Sequence, residues 1–303
     1  MPSLVDTIQA RKLAHNAVIL AHTYQPAEVQ DIADFVGDSY GLSVEAGRTK
    51  ADVIIFCGVM FMAETAAILN PDKHVIIPEP RAGCPMADMI TAAELSELKE
   101  LHPNHTVICY VNSTADIKAL SDICCTSSNA LKIVSQLPEE QGIIFVPDKH
   151  LGGWVQEKTG RSMVLWDGFC PTHVRIQPDM IRRAKAAHPA AAVLIHPEAP
   201  KASRDCADYV FSTGGMCAFV KKDARGEFII ATETGIIHSL LKQNPSKHFY
   251  PVTEDALCPN MKKTSAQLVA DALEGTAGKV VTVPDDIAQK ARKSLTRMLE
   301  MSA

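Results

Sequence analysis

Short runs of four to six apolar residues, many of them β-branched, recur along the chain between Pro, Gly and Asp. Strands covered on both faces of a parallel sheet read this way. One set is NAVILAH from Asn16, HTVICYV from His105 and AAVLIHP from Ala191. A second is DVIIFCG, GIIFVPD and EFIIATE, and a third is KHVIIPEPRAGCP, RSMVLWDGFCP and KHFYPVTEDALCP. The intervening segments have helical period. QPAEVQDIADFV predicts a helix with Val29, Ile32, Ala33 and Val36 on one face and Pro26 in its first turn. FMAETAAILNP predicts a short helix stopped at Asn70-Pro71. CPMADMITAAELSELKELHP and CPTHVRIQPDMIRRAKAAHP read as longer helices ending at His-Pro, and CPNMKKTSAQLVADALEG closes the series.

The three sets repeat with a period near 87 residues. Between the first and second sets lies an acidic marker, in ADFVGDS, SDICCTS and ADYVFST. In it Asp34, Asp122 and Asp208 each precede a hydroxyl residue by five positions: Ser39, Ser127 and Thr213. Strands alternating with helices predict an α/β protein of parallel layers, and the period predicts three pseudo-symmetric domains rather than one eight-stranded barrel. The expected units are residues 1–103, 104–189 and 190–303, the last carrying a C-terminal helix.

Each unit contains one cysteine followed by proline: Cys84-Pro85, Cys170-Pro171 and Cys258-Pro259. Proline is favoured in the first helical turn, so each thiol is expected near a helix N-terminus, where the helix dipole stabilises a thiolate. Three such thiols could bind an iron–sulfur cluster through three of its four irons, or zinc. No CxxC is present, unlike the paired ligands usual in a structural zinc site.

Composition narrows the classes. The chain is 47 % hydrophobic and 21 % charged with a formal net charge of −5, which gives no basic surface for nucleic acid. The basic residues near Lys221 and Lys262 are expected on solvated helix faces. No apolar run reaches the length of a membrane span and the first residues lack a signal core, so a cytoplasmic location is expected. Nine cysteines there are expected to be reduced: buried small residues, metal ligands or nucleophiles. Cys124 and Cys125 are expected to be packing residues.

At this level of detail the chain resembles the quinolinate synthase family. The resemblance is carried by AHTYQPAEVQDIADFVGDSYGLS, FCGVMFMAETAAILNP, AGCP at Cys84, YVNST, CTSSNA, PDKHLGGWV, FCPTH at Cys170, HPE at His196, STGG, TETGIIHSL and CPNMKKT at Cys258. It covers nearly the whole chain. It implies three pseudo-symmetric α/β domains around a central 4Fe-4S cluster with Cys84, Cys170 and Cys258 as ligands and one open iron. It implies condensation of iminoaspartate with dihydroxyacetone phosphate to quinolinate, the pyridine precursor of NAD. An aspartate oxidase or dehydrogenase would supply the imine. The implied substrate-binding residues are His22, Ser39, Tyr110, Asn112, Ser127, His196, Glu198 and Thr213, with Tyr24 and His173 at further active-site positions.

The sequence departs from the family at two places. VTEDALCP lacks the CxxC pair that longer members carry before the third ligand, and Ala199 stands where HPEC is common. Two other enzyme groups place one cysteine in each of three such domains, but GDSYGLS, MAETA and CTSSNA do not look like theirs. A non-enzymatic iron–sulfur sensor would not need Tyr110 with Asn112 and His196 with Glu198, each pair two residues apart on one side of a strand end. Glu198 is the expected general base, with Tyr24, Tyr110 and His196 as the other expected catalytic residues.

Overall fold

A computed structural model describes residues 3–303. The three sets of apolar runs form the strands expected of them, and the acidic marker adds a fourth to each sheet. The first sheet holds β1 (Ala17–His22), β2 (Phe35–Gly37), β3 (Val53–Cys57) and β4 (His74–Ile77). The second holds β5 (Thr106–Tyr110), β6 (Ile123–Cys125), β7 (Ile143–Val146) and β8 (Val164–Leu165). The third holds β9 (Ala192–Ile195), β10 (Tyr209–Val210), β11 (Glu227–Ala231) and β12 (His248–Pro251). All three run in the same spatial order, second strand, first, third, fourth, and these pairs are parallel. The protein is therefore α/β with three small parallel sheets flanked by helices.

The marker aspartates have one structural task. Asp34, Asp122 and Asp208 each accept a hydrogen bond, 2.8 Å in every case, from an amide of the neighbouring central strand: Ile19, Val107 and Val193. The marker residues that follow are extended, so the helix begun at Ala27 stops at Ile32 and Val36 lies in β2. The helical period of QPAEVQDIADFV thus overran its end, because Asp34 binds the strand amide instead of continuing the helix.

Each Cys-Pro opens a turn, not an α-helix; at Cys170 the turn runs on into the single 3-10 turn His173–Arg175. The helices Ala92–Leu101, Pro178–Ala187 and Ala266–Glu274 begin eight positions after Cys84, Cys170 and Cys258. Stronger start signals lie there: the Thr91–Glu94 capping box, Pro178 in the first turn, and Ser265, which caps the amide of Leu268. Each of these helices packs on the next unit. Ala92–Leu101 meets the helix Ala115–Leu120, Pro178–Ala187 packs beneath β11, and Ala266–Glu274 packs on the helix Leu4–Ala14 and β3. Val269, Ala270 and Leu273 accordingly share a core with Ile19 and Ile55 of the first sheet, and Ile181 shares one with Val193 and Ile229 of the third.

The segment after these helices also returns. β13 (Lys279–Val280) joins the first sheet antiparallel to β4, and the helix Asp285–Ser302 packs on the helix Ala115–Leu120 and on β6. Ala291, Leu295 and Met298 are its buried face, and Ser294 donates to the carbonyl of Lys118 at 2.8 Å. No helix among the described residues is long and apolar enough to cross a membrane.

Leu295→Ala is expected to destabilise the protein by about 2–5 kcal/mol, the usual cost of emptying a buried leucine site. Urea unfolding would read this as a lower midpoint. Leu101→Ala, at a site 75 % exposed, should leave the midpoint nearly unchanged.

Candidate active site

The carboxyl ends of the central strands converge on one cavity of about 250 Å³. Ligands bind at this edge of parallel sheets because the chain turns there and frees polar groups from the ladder. His22 ends β1 with Tyr24 beyond it, Tyr110 ends β5 with Asn112 beyond it, and His196 with Glu198 follow β9. All six line the cavity, together with Ser39, Ser127, Thr213, His173, Cys84, Cys170 and Cys258. Every candidate site residue from the sequence is thus brought to one place.

The imidazoles of His22 and His196 are held alike. Nδ1 of His22 accepts from the amide of Tyr24 at 3.1 Å, and Nδ1 of His196 from that of Glu198 at 3.3 Å. Nε2 is left for the cavity, and in His196 it lies 3.2 Å from Oγ of Ser127. Burial pushes His22 down to about 4 and His196 down to about 3, so both are neutral donors at neutral pH.

Glu198 is buried with both oxygens engaged. Tyr110 donates to Oε1, and Nδ1 of His173 is 2.7 Å from Oε2. Burial opposes its charge, but His173, His196 and the bonds from His173 and Tyr110 outweigh burial and hold the carboxyl well below the usual range. Since His196 is itself neutral, the direction rests on His173 and the two hydrogen bonds. Tyr24 is fixed by Thr213 at 2.9 Å and Thr232 at 2.7 Å, and Nε2 of His173 shares Thr232 at 2.7 Å.

Ser39 and Thr213 do not cap their helices. Asp38 and Ser212, one position earlier, accept from the amides of Gly41 and Gly215, so the next hydroxyl is released from capping; Ser39 and Thr213 both line the cavity, Thr213 bonded there to Tyr24. Oδ1 of Asn112 is buried and unpartnered, an acceptor available to a ligand.

The three Cys-Pro thiols are not stabilised as thiolates in the way the sequence suggested. Burial pushes Cys84 up to about 12 and raises Cys170 and Cys258 as well. The physical reason is the missing helix start: amides of Ala87, His173 and Met261 point at the three sulfurs from single turns, which offsets only part of the desolvation. A bound metal would replace the proton and remove that penalty. Cys170, His173 and Glu198 each bring one ligand atom within 4.8 Å of the other two. A cavity lined by the three Cys-Pro thiols, with His173 and Glu198 beside Cys170, is compatible with metal binding.

Several neighbours escaped the sequence reading. Glu233, fully buried, accepts from the amides of Cys258 at 3.1 Å and Gly235 at 2.7 Å and pairs with Lys262 at 2.8 Å. Lys262 also donates to the carbonyl of Tyr24, so it is a half-buried partner and not part of a solvated face. The only signal was the repeat itself, which sets Glu233 two residues past β11 as it sets Asp148 two past β7. Asp38 and Arg175 also line the cavity. Cys124 and Cys125 are buried in β6 and do not, in keeping with a packing role.

Residues 6–300 match the family model described as quinolinate synthetase A protein. Among curated relatives, a quinolinate synthase of Dehalococcoides mccartyi strain CBDB1 is 51 % identical over 290 residues, covering 96 % of this chain and 95 % of its own. Quinolinate synthases of Methanoregula boonei and Geobacter metallireducens are each 50 % identical over 298 residues, covering 98 % and 97 % of both chains respectively. These likenesses have one meaning: the chain belongs to the quinolinate synthase family.

Proposed function

We propose that this protein condenses iminoaspartate with dihydroxyacetone phosphate, with loss of phosphate and water and closure of the ring to quinolinate. The observation that carries the reading is the meeting of Cys84, Cys170 and Cys258, one from each repeat, in the same cavity as Glu198 and three hydroxyls. Residues 1–103, 104–189 and 190–303 are the proposed repeats. We assign the three cysteines as ligands of a 4Fe-4S cluster. Such a cluster can be held through three of its irons, one sulfur to each. When bound, the cluster supplies a Lewis-acidic iron with one open coordination position.

The remaining work falls to side chains. Ser39, Ser127 and Thr213 donate to phosphate and carboxylate oxygens without adding charge. Neutral His22 and His196 donate from Nε2, and Asn112 offers Oδ1 and its amide hydrogens. Glu198, ionised and aimed by His173 and Tyr110, takes the protons released in tautomerisation and dehydration. A substrate that draws Tyr110 or His173 away leaves the carboxylate more basic when it is needed. Tyr24, held by Thr213 and Thr232, orients the substrate and returns a proton. The cytoplasm, where an aspartate oxidase or dehydrogenase supplies the imine, is the proposed setting.

Cys84→Ser, Cys170→Ser and Cys258→Ser should each abolish both the brown cluster absorbance and anaerobic quinolinate formation. Full activity in all three would overturn the ligand assignment. Glu198→Gln should retain the absorbance and lose about a hundredfold or more in turnover; a normal rate would remove Glu198 from the mechanism. The histidines predict a pH response of stability. His22 and His196 titrate lower in the fold than in the unfolded chain, so unfolded chains bind more protons between about 4 and 6.5. Stability should therefore fall as pH drops through that window. His22→Asn should flatten the fall in a thermal-melt series.

A further inference from the structure

Ser39, Ser127 and Thr213 each have a chain neighbour with a polar tip: Asp38, Ser128 and Ser212. The three tips meet. Oγ of Ser128 donates to Oδ2 of Asp38 at 2.6 Å and lies 2.9 Å from Oγ of Ser212. A hydroxyl has one hydrogen, so with that hydrogen on Asp38 the bond between the two serines is donated by Ser212. The outer ends are anchored. Oδ1 of Asp38 accepts from the amide of Gly41 at 2.8 Å, in the first turn of the helix Ser39–Arg48. Oγ of Ser212 accepts from the amide of Gly215 at 3.1 Å, in the first turn of the helix Thr213–Lys222. An unbroken chain of hydrogen bonds therefore runs from the first unit through the second to the third.

A further contact shows the same closeness. A Cβ on Gly214 would lie 2.6 Å from Oδ2 of Asp38, so a side chain there would push the carboxyl away from its place. Ser128 is exposed, Asp38 is half-buried and Ser212 is buried, and Asp38 also lines the cavity. The chain of bonds thus lies at the edge of the cavity toward solvent. Ser128 itself does not line the cavity.

We propose that Ser128 is a positioning residue: its hydroxyl clasps the three units together and so sets the spacing of Ser39, Ser127 and Thr213 around one anionic group of the substrate. The proposal rests on the reading of those three hydroxyls as donors to phosphate and carboxylate. They come from three separate sheets, and no shared strand or helix fixes their distances. Each clasp residue is one peptide from its hydroxyl neighbour, about 3.8 Å between Cα atoms. Tips held 2.6 Å and 2.9 Å apart leave the neighbouring hydroxyls little room to separate. Inside the cavity, Ser127 and Thr213 are also braced by His196 at 3.2 Å and Tyr24 at 2.9 Å, whereas Ser39 is tied through Asp38. Hydrogen bonds at an exposed edge contribute little to folding, so the clasp acts on alignment and hardly on stability.

Ser128→Ala removes both bonds of the clasp, and Ser128→Thr keeps the hydroxyl. Amide hydrogen exchange of the anaerobically prepared holoenzyme should quicken around Gly41 and Gly215 in Ser128→Ala, with the melting temperature nearly unchanged. KM for dihydroxyacetone phosphate should rise about three- to tenfold while kcat is kept, the pattern of lost ground-state binding. The affinity for inorganic phosphate, measured by calorimetry, should weaken by the same factor. Ser128→Thr should restore all three readings. Gly214→Ala retains every clasp side chain but displaces Asp38 from Ser128, and it should raise KM in the same direction. Unchanged exchange or unchanged KM in Ser128→Ala, a threonine variant as impaired as the alanine one, or a wild type that binds no phosphate would each overturn the proposal. A wild type that forms no quinolinate would overturn the proposed reaction instead, and the exchange and phosphate measurements would then decide the clasp without it.

Discussion

Parallel pairing is the constraint on which the rest depends. Strands that run the same way deliver all their carboxyl ends to one edge of the sheet, and the chain must turn there with its polar groups uncovered. Three sheets in the same strand order bring three such edges to one cavity. The polar residues gathered there come in matched pairs two positions apart at each central strand end, and so the site is repeated in outline while its chemistry is not. Histidine stands at the first position in two repeats and tyrosine in the other; the residues beyond are Tyr24, Asn112 and Glu198.

Much of this was legible because buried parallel strands leave a strong mark. The nine apolar runs could be placed by their β-branched content and their Pro, Gly and Asp borders alone. The site residues were legible through a different channel, the likeness of whole strings such as GDSYGLS and CTSSNA to a known family. Spacing alone would have left His22 or Ser127 as one of many polar residues at strand and helix ends. The end of the helix begun at Ala27 was hidden because Asp34 makes its bond to Ile19, a partner distant in sequence. The dipole argument for the cysteines failed for a local reason: Thr91, Pro178 and Ser265 are better helix starts than Cys-Pro.

What stayed illegible is mostly pairing between units. Lys262 looks like any surface lysine until Glu233 and the carbonyl of Tyr24 are brought to it. Asp148 looks like an ordinary N-cap in PDKHLGG, and only its buried environment distinguishes one of its oxygens from the other. The same repeat position thus supports a neutralised carboxylate in one unit and an unpaired one in another.

The helices that follow the cysteines pass from each unit to the next, and the third passes back to the first. The arrangement is a ring closed in space though open in sequence. During synthesis the first sheet is made early, yet the faces covered by Ala266–Glu274 and by β13 stay bare until the third sheet has left the ribosome. Completion of the oldest part therefore waits on the youngest. A nascent chain presents one or two of the thiols before it can enclose them, and the enclosed three-thiol cavity exists only once the circle has closed.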